Sequence, residues 1–528
     1  MFDDGGLPFA LPSFSAPLSA WVRGNRPLLM FTYWINSQLS GSDTFSYHVF
    51  NVMFHCAAAV LVFLIVRRLL EWSGAMNSRR DLLAGFAAAI FLLHPMQTEA
   101  VAYLAGRSEC FSVMIVYAAF AVFLYRPEAA ISWRTSAAVL CLFGLAILSK
   151  EHTLALPALL VLTDYWWNRG SVLKALRSNW RLYAPMAVGA VCGGVFFWQV
   201  MAQSQSAGFR LKDLSWYQYL FTQFRALLVY PRLFLLPVGQ NVDWDFPVSR
   251  TLLDHGSIVG LVVLAALAGA AFYYRRRFPL ATYGFFVYLV LMAPTSSVLP
   301  IKDPLAERRL YFSMLGLLLI MTDVLARVKV ERRALSYSCA AVALLAAVAT
   351  HARAAVWADP VLLWEDTARK SPDKSRTHFQ LAVAYTDAQR FDAAIVEFQK
   401  TAEIDKPDYN LLIDWGLAYD AMNRPGDAIA KLRQAAALEP TAHVYSQIGM
   451  VYAKQQQYSE ALQALAEAER ISPAWAPTFN YRAKIRFQQN DYPGAIADYR
   501  RALALDPTLA DARADLARAE AMQMRAGH

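Results

Sequence analysis

The chain has 528 residues, 57% of them hydrophobic and only 17% charged, with a formal net charge of +9. An average soluble domain is about a quarter charged, so a wholly water-soluble protein is excluded. Residues 1–358 hold 30 basic and 18 acidic groups against 20 and 23 in residues 359–528, and the first set stands in short loops between apolar runs; that is the mark of membrane topology, not of a nucleic-acid partner.

Residues 1–48 are expected to form an outer N-terminal loop, with Asp3–Asp4 near its start and Arg26–Pro27 further along. Ten apolar runs follow, at 49–66, 82–103, 110–125, 135–149, 153–167, 182–202, 257–274, 279–299, 310–326 and 334–350. They predict one polytopic transmembrane domain over 49–350. The loops at 67–81, 126–134, 168–181, 275–278 and 327–333 contain 4, 2, 4, 3 and 4 basic residues and four acidic ones in all, which predicts that they are cytoplasmic and that both termini lie outside. Trp216–Val238 is apolar enough to cross, but Arg225, Pro231 and Arg232 interrupt it, and a crossing would put Arg275–Arg277 outside. It is expected to lie at the outer interface.

Beyond Thr350 the pattern changes. After a linker and half-repeat at 351–374, small residues recur as Ala394, Ala428, Ala461 and Ala495, at intervals of 34, 33 and 34. Seven residues after each comes Thr401, Ala435, Ala468 or Ala502, and Pro407, Pro440, Pro473 and Pro507 close the units. The pairs Ala382/Tyr385, Gly416/Tyr419 and Gly449/Tyr452 recur upstream, with Ala483/Arg486 in the fourth unit. This is the tetratricopeptide pattern. It predicts four repeats over 375–508 and a capping helix and tail over 509–528.

Ionisable residues beside apolar runs are costly unless used. Five groups fall on the expected outer side: Asp3–Asp4 with Arg26; His94, Glu99, Arg107 and Glu109 in HPMQTEAVAYLAGRSE; Lys150, Glu151 and His152; Asp243 and Asp245 with Arg250; and Lys302, Asp303, Glu307, Arg308 and Arg309. Cations that hold a phosphate while a carboxylate activates a nucleophile would suit a reaction on a phosphate-bearing lipid. Cys56, Cys110, Cys141, Cys192 and Cys339 lie in or beside apolar segments without a CxxC pair, and no Walker, HExxH or GxSxG motif occurs, so no metal site or disulfide framework is expected.

The runs RPLLMFTYWINSQLSG, YHVFNVMFH, HPMQTEAVAYLAGRSE and SKEHT, followed by tetratricopeptide repeats, resemble the transmembrane-and-TPR protein O-mannosyltransferases and their bacterial relatives, of the C-type glycosyltransferase fold. The resemblance implies an all-α architecture, a transmembrane bundle followed by a repeat solenoid. It also implies an enzyme that moves a sugar from a polyprenyl-phosphate carrier to Ser or Thr hydroxyls outside the cytoplasm, with the carrier as donor substrate and no separate cofactor. Asp3 and Asp4 match the family's acidic base, with Glu99 and Glu109 next in line. Arg26, Arg107 and Lys150, with Arg308 or Arg309, are the candidates for the carrier phosphate, and His94 and His152 stand beside them. Family members carry a transmembrane helix ahead of the acidic pair, so the functional polypeptide is expected to begin upstream of Met1. A bacterial inner membrane, with the repeats on the periplasmic side and an acceptor protein in their groove, completes the expectation. Two other readings remain at this point: a ligase of lipid-linked oligosaccharides, and a non-catalytic scaffold whose repeats organise an envelope complex.

Overall fold

The computed structural model describes residues 16–74, 77–127, 130–169, 171–203, 208 and 214–526. It consists of two compact units, one up to Asp359 and one from Pro360. Regular structure among the described residues is helical throughout.

The first unit has twelve helices of eight or more residues among those described: α1 (Pro27–Ser40), α2 (Phe45–Trp72), α3 (Asn77–Leu93), α4 (Arg107–Leu124), α5 (Trp133–Ile147), α6 (Leu156–Thr163), α7 (Trp180–Gln203), α8 (Trp216–Leu235), α9 (Ser257–Tyr274), α10 (Pro279–Met292), α11 (Leu310–Arg327) and α12 (Arg332–Trp357). Every apolar run of the sequence carries one of them. Among the described residues, five helical stretches are long and apolar enough to cross a membrane, namely Phe45–Trp72, Leu104–Leu124, Asp254–Tyr274, Glu307–Arg327 and Arg332–Trp357, and α5 and α10 are shorter apolar helices.

Two runs expected as continuous helices are broken. The run 82–103 stops at Leu93 because His94, extended at φ −83° and ψ 133°, precedes Pro95; a residue before proline is pushed out of the helical region. The run 153–167 is assembled from a 3₁₀ turn (Glu151–Ala155), α6 and a wide π turn (Asp164–Arg169). The turn brings the buried Asp164 to Arg126 (2.6 Å), Tyr183 (2.8 Å) and Asn179 (2.5 Å). Of the run Trp216–Val238, residues up to Leu235 form α8, which is not among the five long apolar stretches.

Helices α10 and α11 cross at Gly284 and Gly316. A Cβ on Gly284 would stand 2.7 Å from the Gly316 carbonyl oxygen, and one on Gly316 would stand 2.7 Å from the Tyr288 Cα. Only glycine permits backbones this close, as is common where membrane helices pack.

In the second unit α13 (Pro360–Lys370) precedes four helix pairs: α14 (Ser375–Asp387) with α15 (Phe391–Ile404), α16 (Tyr409–Ala421) with α17 (Pro425–Leu438), α18 (Ala442–Lys454) with α19 (Tyr458–Ile471), and α20 (Ala476–Gln488) with α21 (Tyr492–Leu505). Helix α22 (Ala510–Ala526) packs on the last pair. Ala394, Ala428, Ala461 and Ala495 are completely buried, where the two helices of each pair meet.

One recurring feature escaped the sequence reading. Gln389, Asn423, Gln456 and Asn490, each five residues before an alanine anchor, have positive φ of 56–63°. The next amide closes onto the carbonyl five residues back, as Arg390 to Tyr385 (2.7 Å), Arg424 to Tyr419 (2.9 Å), Gln457 to Tyr452 (3.0 Å) and Asp491 to Arg486 (2.9 Å). Every first helix therefore ends in a Schellman motif. Arg486, which replaces the recurring tyrosine, pairs with the buried Asp498 at 2.8 Å.

Candidate active site

The first turn of α4 sets three side chains in succession, Arg107, Ser108 and Glu109, and sends them to different places. Arg107 is fully buried. Its Nε donates to Asn51 (2.9 Å), Nη1 to Asn36 (2.6 Å) and Thr32 (3.4 Å), and Nη2 to the Tyr47 carbonyl (2.8 Å). The guanidinium also lies 4.2 Å from the Tyr33 ring centre. None of these partners is a carboxylate, and all three nitrogens are engaged. As placed, Arg107 braces α1 and α2 against the loop before α4; Asn51 in turn donates to the Val101 and Tyr103 carbonyls at 3.2 Å. Gly106 completes this loop, since a Cβ there would run into the Ala100 carbonyl.

Glu109 turns the other way and pairs with Lys150, whose Nζ also donates to Ser108 Oγ at 3.0 Å. The His152 Nε2 stands 3.4 Å from the second Glu109 oxygen. Glu151, from the same short loop, takes both Nε and Nη2 of Arg26, at 3.0 and 2.8 Å. This fork-to-fork geometry is the strong form of the pair. Burial would raise the Glu151 carboxyl, but the bonds and charge of Arg26 outweigh it and hold the pKa below the usual range. Burial lowers the Lys150 ammonium against the pull of Glu109. It also pushes His152 down to about 4 against the same carboxylate, so this imidazole is neutral at pH 7.

Glu99 and Arg308 form the third pair. Glu99 Oε1 accepts from Arg308 Nη1 (2.6 Å) and Oε2 from the Arg308 backbone amide (2.9 Å). Arg308 is close enough to act on the charges of Glu109 and Lys150, which joins the three pairs into one group. The loop that carries it is held by α8: Gln223 donates to the Pro304 carbonyl (2.9 Å) and Tyr230 to that of Ala306 (3.3 Å). Arg309 staples the same loop, through the Pro304 carbonyl (2.9 Å), the Asp303 carbonyl (2.5 Å) and the Tyr219 hydroxyl (3.1 Å).

In each pair the cation is the more open member. Side-chain exposure is 40% for Arg26 against 28% for Glu151, 16% for Lys150 against 7% for Glu109, and 30% for Arg308 against 3% for Glu99. An approaching anion would meet ammonium and guanidinium groups with their counter-ions behind them.

The repeat region matches two family models, described as tetratricopeptide repeat over residues 413–474 and TPR repeat over 483–523. The chain is similar to the Mus musculus protein O-mannosyl-transferase TMTC3, at 24% identity over 540 residues, 92% of this chain and 57% of that protein. The Drosophila melanogaster protein O-mannosyl-transferase Tmtc1 is 36% identical over 139 residues, 26% of this chain and 15% of the relative. Among solved structures, MamA covers 29% of this chain and 89% of its own, at 20% identity and a TM-score of 0.26. The resemblance to the transmembrane-and-TPR protein O-mannosyltransferases thus extends over 92% of the chain, which spans just over half the length of TMTC3.

Of the residues singled out in the sequence, the structure gathers Arg26, Glu99, Glu109, Lys150, His152 and Arg308. His94 is used differently. Its Nδ1 accepts from the Met96 amide (3.2 Å) and its Nε2 donates to the Phe234 carbonyl (2.9 Å). Burial pushes its pKa down to about 4, and as a neutral ring with both nitrogens engaged it ties its loop to α8. Asp3 and Asp4 lie outside the described residues. Asp243 is buried.

Glu307 received no role in the sequence reading. It is buried beside Glu99 and accepts from the Asn241 amide (2.5 Å), Trp244 Nε1 (3.2 Å) and Gln240 Nε2 (3.3 Å). It anchors the 240–244 segment to the loop of Arg308. No spacing pattern links positions so far apart in the chain. Among the described residues no group of three or more His, Cys, Asp or Glu is gathered as for a metal ion.

Proposed function

We propose that this chain is a membrane glycosyltransferase that moves mannose, or a similar sugar, from a polyprenyl-phosphate carrier to Ser or Thr hydroxyls of proteins outside the cytoplasm. The observation that carries the reading is the row of Arg26, Lys150 and Arg308, each more open than its carboxylate partner. The names of the relatives support the reaction class. In the reaction the acceptor oxygen attacks the anomeric carbon, the bond from that carbon to the phosphate oxygen breaks, and the electron pair leaves with the phosphate. Arg26, Lys150 and Arg308 offset the charge that builds there. Arg107, His94, Arg309 and Glu307 hold the loops that present them.

The attacking hydroxyl must lose its proton, and a positioned base contributes ~10²–10⁴-fold to such a step. Glu99, Glu109 and Glu151 are each engaged as counter-ions; the family resemblance assigns the proton to Asp3 or Asp4. No step requires a metal ion. The Lys/Arg asymmetry of the loops favours the repeats lying on the non-cytoplasmic side, which is the periplasm if the membrane is a bacterial inner membrane. The repeats take an extended acceptor segment and bring whole proteins to the membrane unit.

Reconstituted protein, supplied with a radiolabelled polyprenyl-phosphate sugar and a Ser/Thr-rich acceptor, tests this directly. Transfer is expected, to be abolished in the Asp3→Asn, Asp4→Asn double variant with carrier binding retained, and carrier binding weakens in Arg308→Gln. Wild-type turnover by the double variant would move the base elsewhere. No transfer from any polyprenyl-phosphate sugar would refute the reaction class. Removing 375–528 should spare transfer to a short peptide and weaken transfer to a whole protein; equal loss of both would make the repeats a structural part.

A further inference from the structure

A second charged region stands at the other end of the same helices. Helix α11 starts beside Arg308 and ends at Arg327, and its 18 residues span about 27 Å at 1.5 Å per residue. That is close to the roughly 30 Å hydrocarbon thickness of a bilayer. At this far end three loops meet. Arg79, at the start of α3, donates through Nη1 to the Val328 carbonyl (2.6 Å) and through Nη2 to that of Val330. The Arg327 guanidinium lies 5.2 Å from the Phe278 ring, and the buried Asp323 caps the start of α10 by accepting from the Ala281 amide (2.8 Å).

These bonds bring Arg275–Arg277 to the segment that carries Lys329, Arg332 and Arg333. Arg276, Lys329, Arg332 and Arg333 are exposed, and no acidic side chain among the described residues pairs with them. Glu331 is the one acid within the segment 328–333; Asp81 and Asp323 are taken by Arg67 and Arg327. Exposed aromatic rings flank the cations along the chain: Tyr273 (77%) and Tyr274 (47%) end α9 just before Arg275, and Tyr337 (75%) follows Arg332–Arg333 in the second turn of α12. From there the apolar, largely exposed faces of α9 and α12 run along the bundle. Tyrosines between exposed apolar surface and unpaired cations are what the headgroup layer of a membrane selects.

We propose that this end of the bundle is a binding site for an anionic phospholipid. Arg276, Lys329, Arg332 and Arg333 take the headgroup phosphate, the tyrosines lie at the glycerol level, and the acyl chains run along α9 and α12. A free phosphate would make no use of the aromatic ring or the apolar faces, so the lipid is the occupant. The site does not depend on the transfer chemistry at the opposite end.

Full-length protein in mixed micelles, with phosphatidylglycerol or phosphatidylcholine and native mass spectrometry as the readout, tests the proposal. Phosphatidylglycerol should be retained selectively and should raise the thermal midpoint, with the preference weakening as salt is added. A juxtamembrane basic residue contributes enough that neutralising four should cut affinity on the order of 1,000-fold. Arg276→Gln, Lys329→Gln, Arg332→Gln and Arg333→Gln combined is that variant, and since all four side chains are exposed the fold should survive. Should the combination aggregate, Arg276→Gln and Lys329→Gln alone each show part of the loss. Replacing the three arginines by lysine should keep the preference. Equal retention of the two lipids, an undiminished preference in the glutamine variants, its loss in the lysine variant, or equal protection by inorganic phosphate alone would overturn the site.

Discussion

The two units of this chain are both all-helical, yet they are specified in different ways. In the repeat unit the deciding partners are close in sequence: His378 meets Glu397 19 residues on, and Arg482 meets Asp498 after 16. In the membrane unit they are far apart, 125 residues for Arg26 and Glu151, 209 for Glu99 and Arg308, and 256 for His55 and Tyr311. A solenoid writes the same local contact several times, so its period announces it. A polytopic bundle advertises its apolar runs and leaves the pairing of its polar residues to the tertiary fold.

The sharpest way to break that comparison is to overfill a helix crossing in each unit. Gly316→Leu must separate two backbones, and a loss above about 4 kcal/mol is expected, enough to remove the folded membrane unit. In the repeats the corresponding experiment is Gly449→Ala, where the added Cβ meets the Leu465 Cγ at 2.9 Å and the Ala461 carbonyl oxygen at 3.1 Å. Alanine already fills this slot as Ala382 and Ala483, so the cost should be about 1 kcal/mol or less. Size-exclusion profiles and hydrogen exchange of the two variants would show the difference; similar losses would mean that both crossings are equally rigid.

A smaller but more specific contrast lies within one ion pair. Glu99 is 3% exposed and Arg308 30%. Arg308→Ala strands a buried carboxylate and should cost about 3–5 kcal/mol. Glu99→Gln leaves a cation that water can reach and should cost about 1 kcal/mol. The double variant should recover part of the Arg308→Ala loss, which thermal unfolding of the four proteins measures as a coupling free energy.

The architecture was legible because it rests on composition and period. The repeats, their alanine anchors and the capping helix needed nothing beyond spacing. The helices of the membrane unit were legible in rough position, but not in their breaks, although Pro95 was a readable signal for one of them. The site was legible only as a list of costly charges. Arg107 and His94 looked like ligands because charged or titratable groups beside apolar runs usually have work to do. The structure turns both inward, where neutral oxygens and a backbone amide engage them. Glu307 was named among the costly charges but given no role of its own, because its partners at 240–244 are distant in sequence and mostly backbone or neutral side chains, which no pattern reports.

Acidification should move the two units in opposite directions. Burial holds His94 and His152 down to about 4 in the fold, while an unfolded histidine titrates near 6.5. The stability is fully present above pH 6.5 and is lost as the pH falls toward 4; the loss at pH 5 is about 2 kcal/mol for each residue. In the repeats, burial, helped by Asp387 and Asp408, raises the half-buried Asp414 to about 6. Its contribution is fully present below the unfolded value and is lost as the pH rises through 6, so the repeats should gain about 1 kcal/mol on acidification after allowance for solvent screening. Hydrogen exchange of the full chain at pH 7 and 5, corrected for the intrinsic rate, resolves the two units. His94→Gln with His152→Gln should flatten the first response and Asp414→Asn the second. Parallel shifts in both units would show that other groups dominate.

The smallest effect expected lies in the turns that the repeats share. Each non-glycine residue in the left-handed region is strained by its Cβ, by about 1 kcal/mol, and asparagine is strained least because its short side chain can bond locally. Glycine removes the strain and adds some unfolded-state entropy. Gln456→Gly, at φ 60°, should therefore stabilise the repeat unit by about 0.5–1 kcal/mol, a rise of roughly 2–4 °C for a domain of this size. Asn490→Gly, at φ 63°, should give less. Gln389 and Asn423 offer an independent copy of the same pair, so the series can be read as glutamine against asparagine with the repeat as a control. Thermal scans of the four single variants would test it. If the asparagine sites gained as much as the glutamine sites, the strain would lie in the backbone of the turn, and the regular alternation of the two residue types along the repeats would carry no energetic meaning.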